Sequence, residues 1–312
     1  MSRKETFVIG LFFLLNGFCS SSAQTAKPDS LIPPANDTLH RGRLAMVLSI
    51  EGALYFGSLA GLYYAWYSNY PQTNFHFFND AGEWMGMDKI GHSTTAYYIS
   101  MIGYHSYRWC GLSNQQATLY GGLLSMAYLL NIEILDGFSS QWGFSMGDFT
   151  ANTAGCLLFM GQQLIWKEQR FALKYSFHQT QYAQYRPDLL GDNLIQNMVK
   201  DYNGQTYWLS GNIASFLPKT SKFPKWINVA FGYGAEGMTG SLSNPDSVNH
   251  QAIPHFDRYR QFYLTMDVDL TRIPTRSKAL KALLTIFSFI KIPFPAVEYN
   301  SLGQFKFHPF YF

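Results

Sequence analysis

The sequence predicts an α+β protein, with an N-terminal bundle of four helices followed by a β-rich C-terminal part that contains one amphipathic helix. Long apolar segments fill residues 41–168, and short aromatic segments alternating with polar residues fill 169–312. The first pattern is typical of packed helices and the second of strands.

The composition indicates contact with a membrane. Aromatic residues make up 17% of the chain and charged residues only 14%, against about 25% charged in ordinary soluble domains. We therefore expect membrane lipids as partners. The net charge of +3 is spread without runs of lysine or arginine, so the sequence lacks the basic footprint that nucleic acid binding requires.

Residues 1–23 have the pattern of a secretory signal peptide, with basic residues, an apolar stretch and small residues that end at Ala23. This predicts a mature protein of the cell envelope that faces the periplasm. A lipid anchor at Cys19 is the alternative, although the bulky Phe18 before it is a poor match to such processing. Residues 24–40 are rich in Pro, Ser, Asp and Asn and predict a flexible tether.

Four helices are predicted from the apolar segments. The first is long enough to cross about 30 Å of hydrocarbon and carries one charge, Glu51. Hydropathy alone leaves open whether the bundle is embedded in a membrane or soluble. Cys110 and Cys156 are predicted to be buried thiols, with a disulfide as the alternative. The predicted helices are Leu44–Tyr67, Asp88–Trp109, Asn114–Asp136 and Ser145–Trp166.

The C-terminal part predicts four strands, with a helix before the last. Residues 261–270 alternate polar and apolar side chains, which predicts a sheet with one polar and one apolar face. The helix, Ser277–Ile292, carries a narrow polar stripe and either lies in a membrane interface or covers one face of the sheet. The final KFHPFYF resembles the C-terminal signature of bacterial outer-membrane proteins, which favours the outer over the inner membrane. The predicted strands are Tyr207–Phe216, Trp226–Glu236, Arg258–Leu270 and Val297–Phe307.

The second predicted helix begins with an acid and a histidine in an otherwise apolar context. Asp88 and His92 are four residues apart and share one face of the helix, which Thr95 extends. Asp88 also fits the simpler role of an N-cap, and Ser145 with Asp148 fits a capping box.

Further acids lie where a short loop joins the third and fourth helices. Glu133 and Asp136 end the third helix, and Asp148 and Asn152 begin the fourth. Up-and-down packing brings these ends next to the start of the second helix. Because isolated carboxylates are costly in an apolar bundle, we expect them to converge on one another, on water, on a metal or on a substrate. Glu51 is a further candidate for this cluster.

The polar cluster supports a structural and a catalytic interpretation. In the catalytic one, the imidazole acts as general base or metal ligand, and the carboxylates hold a divalent metal, the cofactor that we consider. The candidate catalytic residues are His92, Asp88, Glu133 and Asp148, the candidate metal ligands are His92, Glu133, Asp136 and Asp148, and the structural polar residues are Asn152 and Thr95.

Three motifs in this order, DKIGH, EILDG and DFTANTAG, resemble the pattern of the YfiM-like family of predicted periplasmic lipoproteins, a family without an assigned function. More distantly they resemble VanZ-like membrane proteins. The resemblance covers about Leu44–Trp166, and the C-terminal half of the chain lies beyond it. The matching positions are Asp88, Lys89 and His92, then Glu133, Asp136 and Gly137, then Asp148, Asn152 and Gly155.

These observations lead to two main hypotheses of function. The first is a non-enzymatic envelope protein, structural or involved in envelope maintenance, in which the polar cluster stabilises the helices. The second is a metal-dependent hydrolase that acts on a lipid or a peptidoglycan-linked substrate. A carrier of small ligands or lipids is a third interpretation. The sequence contains no nucleophile motif, no HExxH and no phosphate-binding glycine loop.

Overall fold

The computed structural model describes residues 38–65, 67–248 and 250–312 of the chain. The predicted signal peptide, the alternative lipid anchor at Cys19 and most of the predicted tether lie outside these residues.

The described chain divides into two compact units. Residues up to 81 and residues 92–169 form the first unit, and residues 82–91 and 170–312 form the second. The border falls inside one helix, which begins in the second unit and continues in the first.

Long helices form most of the first unit. They are α1 (Arg41–Ala65), α2 (Met87–Trp109), α3 (Asn114–Gly137) and α4 (Met146–Ile165), and the two short parallel strands β1 (Phe77–Phe78) and β2 (Phe144–Ser145) precede α4. All four predicted helices are therefore present, with ends within three residues of the prediction. Ser113 and Gln116 form a capping box at the start of α3, which fixes where that helix begins.

Small residues let the helices of the first unit approach closely. Gly155 of α4 lies so near α2 that an added Cβ would overlap the carbonyl oxygen of Ser93. The Ser93 hydroxyl donates to the carbonyl of Ala151 at 2.8 Å at the same crossing. Cys110 and Cys156 are buried thiols, as predicted.

Two helices in the described part of the chain are long and apolar enough to cross a membrane, 41–64 and 114–137. This property follows from length and composition, which a core helix shares. We therefore assign no membrane-spanning segment.

A six-stranded antiparallel sheet forms the centre of the second unit, in the order β10–β9–β8–β5–β4–β3. Its strands are β3 (Phe171–Phe177), β4 (Gln205–Asn212), β5 (Ile227–Glu236), β8 (Tyr259–Val268), β9 (Phe294–Asn300) and β10 (Phe305–Tyr311), and the hairpin of β6 (Ser247–Val248) and β7 (Gln251–Ala252) lies apart from it. The helices of this unit are α5 (Pro187–Leu190), α6 (Leu194–Lys200) and α7 (Lys278–Ile286). The predicted α+β class is thus confirmed.

Three predicted elements of the second unit differ from the structure. The single strand predicted over Val297–Phe307 is wrong, because a turn with Gly303 at a φ of +79° splits it into β9 and β10. The predicted strand Tyr207–Phe216 ends at Asn212, and a 3-10 turn follows. The predicted helix Ser277–Ile292 is shorter, since α7 ends at Ile286. The sequence analysis also missed β3.

The main sheet has one polar and one apolar face, as the alternation predicts, but the polar face is the buried one. Along β8, Tyr263, Thr265 and Asp267 are buried, whereas Leu264 and Met266 are exposed. Most sheets that lie against a core in water have the opposite arrangement.

The close approach of α2 and α4 generates a prediction about two glycines of one helix. Replacing Gly155 by alanine should lower the free energy of unfolding by about 1–3 kcal/mol, because the added methyl group forces the helices apart. Gly161 of α4 has no atom within 4 Å of an added Cβ, so Gly161→Ala should leave stability unchanged or raise it by up to about 1 kcal/mol. Denaturation followed by circular dichroism measures both, and equal effects would contradict the packing.

Candidate functional site

Three helices bring a histidine and two buried acids together. α2 carries His92, α3 carries Glu133, and α4 carries Asp148 and Asn152. The His92 Nδ1 atom lies 3.9 Å from Glu133 Oε1, and its Nε2 atom lies 3.7 Å from Asp148 Oδ1. We call these four residues the histidine cluster. All of them lie in the first unit.

Asn152 sets the orientation of the imidazole ring. Its Oδ1 atom lies 3.1 Å from His92 Nδ1 and accepts a hydrogen bond from this nitrogen in the tautomer that carries its proton there. The Nε2 atom then faces Asp148, either as a second donor or as a lone pair that can bind a metal. The His92 side chain is 26% exposed, whereas Asp148 and Asn152 are buried. Water therefore reaches the histidine cluster at the exposed side of the His92 ring.

Glu133 is the innermost member of the histidine cluster, with 1% of its surface exposed. Its Oε2 atom accepts a hydrogen bond from the Ser145 amide at 3.4 Å. Its Oε1 atom has no hydrogen-bond partner among the described residues. Burial raises the pKa of Glu133 to about 8, against the lowering effect of His92 and with smaller upward contributions from Asp148 and Asp136. This carboxyl group therefore takes up a proton near neutral pH.

Ser145 supports the histidine cluster from the connection between α3 and α4. Its hydroxyl accepts the Asp148 amide proton at 3.0 Å, which caps α4, and donates to Asp80 Oδ1 at 2.6 Å. Its own amide donates to Glu133. One residue thus fixes the start of α4 and the position of two acids.

Asp136 and Thr95 are two further predicted members of the cluster. Asp136 accepts a hydrogen bond from the Tyr67 hydroxyl at 2.6 Å. Thr95 is exposed. Three residues after His92, its Cβ is rotated by about 60° around the helix axis, which is enough to turn it away from α3 and α4. Thr95 therefore lies at the exposed edge of the predicted polar face, and its structural role stays a prediction.

Glu51 does not join the histidine cluster. It accepts a hydrogen bond from the Tyr107 hydroxyl at 2.8 Å. Tyr107 follows His92 by fifteen residues, which corresponds to about 22 Å along α2. The acid of α1 therefore serves a separate contact at the other end of that helix.

Asp88 belongs to the second unit and lies one turn before His92 on the same helix. It accepts a hydrogen bond from the Tyr202 hydroxyl at 2.7 Å and pairs with Lys89 at 3.1 Å. It is not an N-cap, because α2 already begins at Met87.

Three residues hold the site through contacts that were not predicted from the sequence. Tyr67 and Asp80 come from the connection between α1 and α2, which has no regular period. Ser145 left a signal, the S-x-x-D spacing, but this pointed to its capping role alone. Its contacts with Asp80 and Glu133 depend on the tertiary fold.

Two carboxylates and one imidazole can act in two ways. With the ring protonated, they form a buried ion-pair cluster that still carries an excess negative charge when both acids are ionised. With the ring neutral, one nitrogen and the carboxylate oxygens are ligands that Zn²⁺, Mn²⁺ or Mg²⁺ accept. The distances are those of the two ion pairs, with Glu133 beside Nδ1 and Asp148 beside Nε2.

The raised pKa of Glu133 predicts how the stability of the metal-free protein depends on pH. Folding raises this pKa from 4.5 to about 8, so the folded state holds the proton more tightly than the unfolded state. The free energy of unfolding should therefore fall as pH rises from about 4.5 to about 8. Glu133→Gln should flatten this slope, as thermal unfolding with a chelator present would measure. Identical slopes in the two proteins would contradict the assignment.

Comparison with known proteins gives one match. A family model described as "Predicted periplasmic lipoprotein (DUF2279)" matches residues 76–160. No curated protein matches, and no solved structure matches. The YfiM-like and VanZ-like resemblances stay predictions. The matched segment includes Asp80, Ser145 and the whole histidine cluster, so over this part the chain is similar to a family of predicted periplasmic lipoproteins.

Proposed function

We propose that this chain is a periplasm-facing protein of the bacterial cell envelope whose helices form a bundle, joined by a divalent cation at the histidine cluster. The location is supported by the description of the matching family and by the signal-like N-terminus. The aromatic C-terminus favours the outer over the inner membrane. In this proposal the cation has a structural role, which combines the non-enzymatic hypothesis with the metal that the catalytic hypothesis considered.

The observation that carries the proposal is the buried Glu133 Oε1 atom, 3.9 Å from His92 and without a hydrogen-bond partner among the described residues. An unsatisfied buried carboxylate costs several kcal/mol, on the order of the stability of a whole domain. Without a metal the carboxyl group lowers this cost by holding a proton, as its raised pKa indicates, and a bound cation takes the place of that proton. The contacts that the structure describes for Glu133 include no lysine or arginine.

The proposed ligands of the cation are the His92 Nε2 atom and the carboxylate of Asp148, which lie 3.7 Å apart. The carboxylate of Glu133 lies beside the other ring nitrogen and has to turn its side chain to reach the cation. Asn152 orients the ring through its contact with Nδ1, as the outer partners of metal-binding histidines usually do. Asp136 stays hydrogen-bonded to Tyr67 and acts on the site through its charge.

A second candidate function is hydrolysis, and the access of water to the histidine cluster favours it. His92 is partly exposed and gives water a route to the site. The metal would activate that water, and His92, Glu133, Asp148 and Asp88 are the catalytic candidates. Release of lipid or peptidoglycan fragments by the metal-loaded wild type, but not by Asp148→Ala, would support this function.

The cation site predicts metal content in the purified full chain. Wild type should hold about one equivalent of a divalent metal, as ligands from three side chains at one site imply. His92→Ala and Asp148→Ala should each lose most of it, because each removes a ligand. Elemental analysis measures the metal, and circular dichroism checks the fold.

The matched control is Thr95→Ala, which changes an exposed residue of the same helix and should keep the metal. A folded wild type without metal, whose stability no added Zn²⁺, Mn²⁺ or Mg²⁺ changes, would refute the cation site and leave the cluster as a purely protein-satisfied contact.

A further inference from the structure

One side of the main sheet carries an unbroken row of apolar side chains across all six strands. The strand register pairs each member of the row with the next one. Within it, Phe231 is 51% exposed, Leu264 is 58% exposed and Phe307 is 66% exposed. We call this row the apolar face. In spatial order the row is Leu173, Leu209, Phe231, Leu264, Val297 and Phe307.

The opposite face of the sheet buries charge. Lys174 Nζ lies 2.7 Å from Asp267 Oδ2, and the Ser210 hydroxyl donates to the same carboxylate at 2.6 Å. Glu298 accepts from the His308 ring at 2.7 Å. These paired groups lie on the same face of the sheet as a buried cluster that includes Trp208, Tyr263 and Tyr311. A water-soluble sheet gains stability by the reverse arrangement, with apolar groups inside.

Helix α7 repeats this inversion independently of the sheet. Leu280 and Leu283 of α7 are exposed, as is Phe287 of the 3-10 turn that follows it. Ser288 of that turn is buried, and Lys281 of α7 donates to the backbone carbonyl of Thr271. The polar stripe of this helix therefore faces the protein. Surface helices in water place their apolar stripe toward the core.

The ends of the central strands carry groups that suit a lipid headgroup region. Trp226 precedes β5 and is exposed, about 17 Å along the strand from Phe231. Three exposed lysines lie in the connection from β4 to β5, at positions 219, 222 and 225. Tryptophan is enriched at membrane interfaces, and lysine is attracted by anionic headgroups.

We propose that the apolar face contacts the hydrocarbon chains of a phospholipid bilayer. Protein partners usually supply about one hydrogen bond per 100–200 Å² of interface, whereas the side chains of the apolar row offer neither donors nor acceptors. The open edge at β3 is partly covered, because the Lys291 amide donates to the carbonyl of Tyr175. This inference deepens the membrane association proposed above and is independent of the cation site.

A nitroxide label at Leu264→Cys in the full chain tests the inference. Cys110 and Cys156 are buried, and Cys19→Ser removes both the remaining thiol and the alternative lipid anchor. The protein is reconstituted with vesicles of phosphatidylethanolamine and phosphatidylglycerol. The control label is at Asp246→Cys, an exposed polar position before β6. Collision with oxygen reports hydrocarbon, and collision with a water-soluble nickel chelate reports water.

We expect the label at 264 to collide several-fold more with oxygen, and several-fold less with the nickel chelate, than the label at 246. Equal exposure of the two labels to the nickel chelate would overturn the inference. Protection of position 264 from both reagents would also overturn it, because this indicates that a protein covers the face. The same result in an Asp148→Ala background would show that lipid contact survives loss of the cation site. Failure of the lipid contact can therefore be distinguished from failure of the cation site.

Discussion

The contact of one imidazole with two buried carboxylates is the constraint on which the first unit depends. His92, Glu133 and Asp148 come from three different helices, so the cost of burying charge is reduced only when all three helices are in place. Burial without compensation would cost several kcal/mol per ion. The close crossing at Gly155 brings α2 and α4 near enough for this contact to form. Packing and electrostatics therefore specify the same arrangement.

Spacing along the sequence predicted the centre of the site, because helix periodicity and a short loop determine which ends meet. His92, Glu133, Asp148 and Asn152 are brought together as expected. Periodicity does not give the rotation of each helix about its axis. Thr95 is offset by about 60° from His92 around the helix and lies outside the cluster. Asp136 instead accepts a hydrogen bond from the Tyr67 hydroxyl. Tyr67 comes from an irregular connection, where no periodic pattern predicts the position of a side chain.

The second unit shows where a pattern of alternation ceases to be informative. Alternation predicted two different faces for β8, but period 2 is the same whichever face is buried. The side that lies inside depends on the surrounding solvent, and the sequence pattern does not specify that solvent. The hairpin of β9 and β10 was missed for a local reason, because its turn at Gly303 lies within a run that already alternates.

Each unit separately buries paired charges and leaves apolar side chains outside. In the first unit, Leu48 and Phe56 of α1 are exposed while Glu133 is buried, and in the second Phe307 is exposed while Asp267 is buried. In water this arrangement is unfavourable twice over, since apolar surface is hydrated and ions are desolvated. In contact with hydrocarbon the first cost disappears, and the second is offset by pairing within the protein. The low share of charged residues, 14%, agrees with the proposed contact with hydrocarbon, because charged side chains are costly on such a surface.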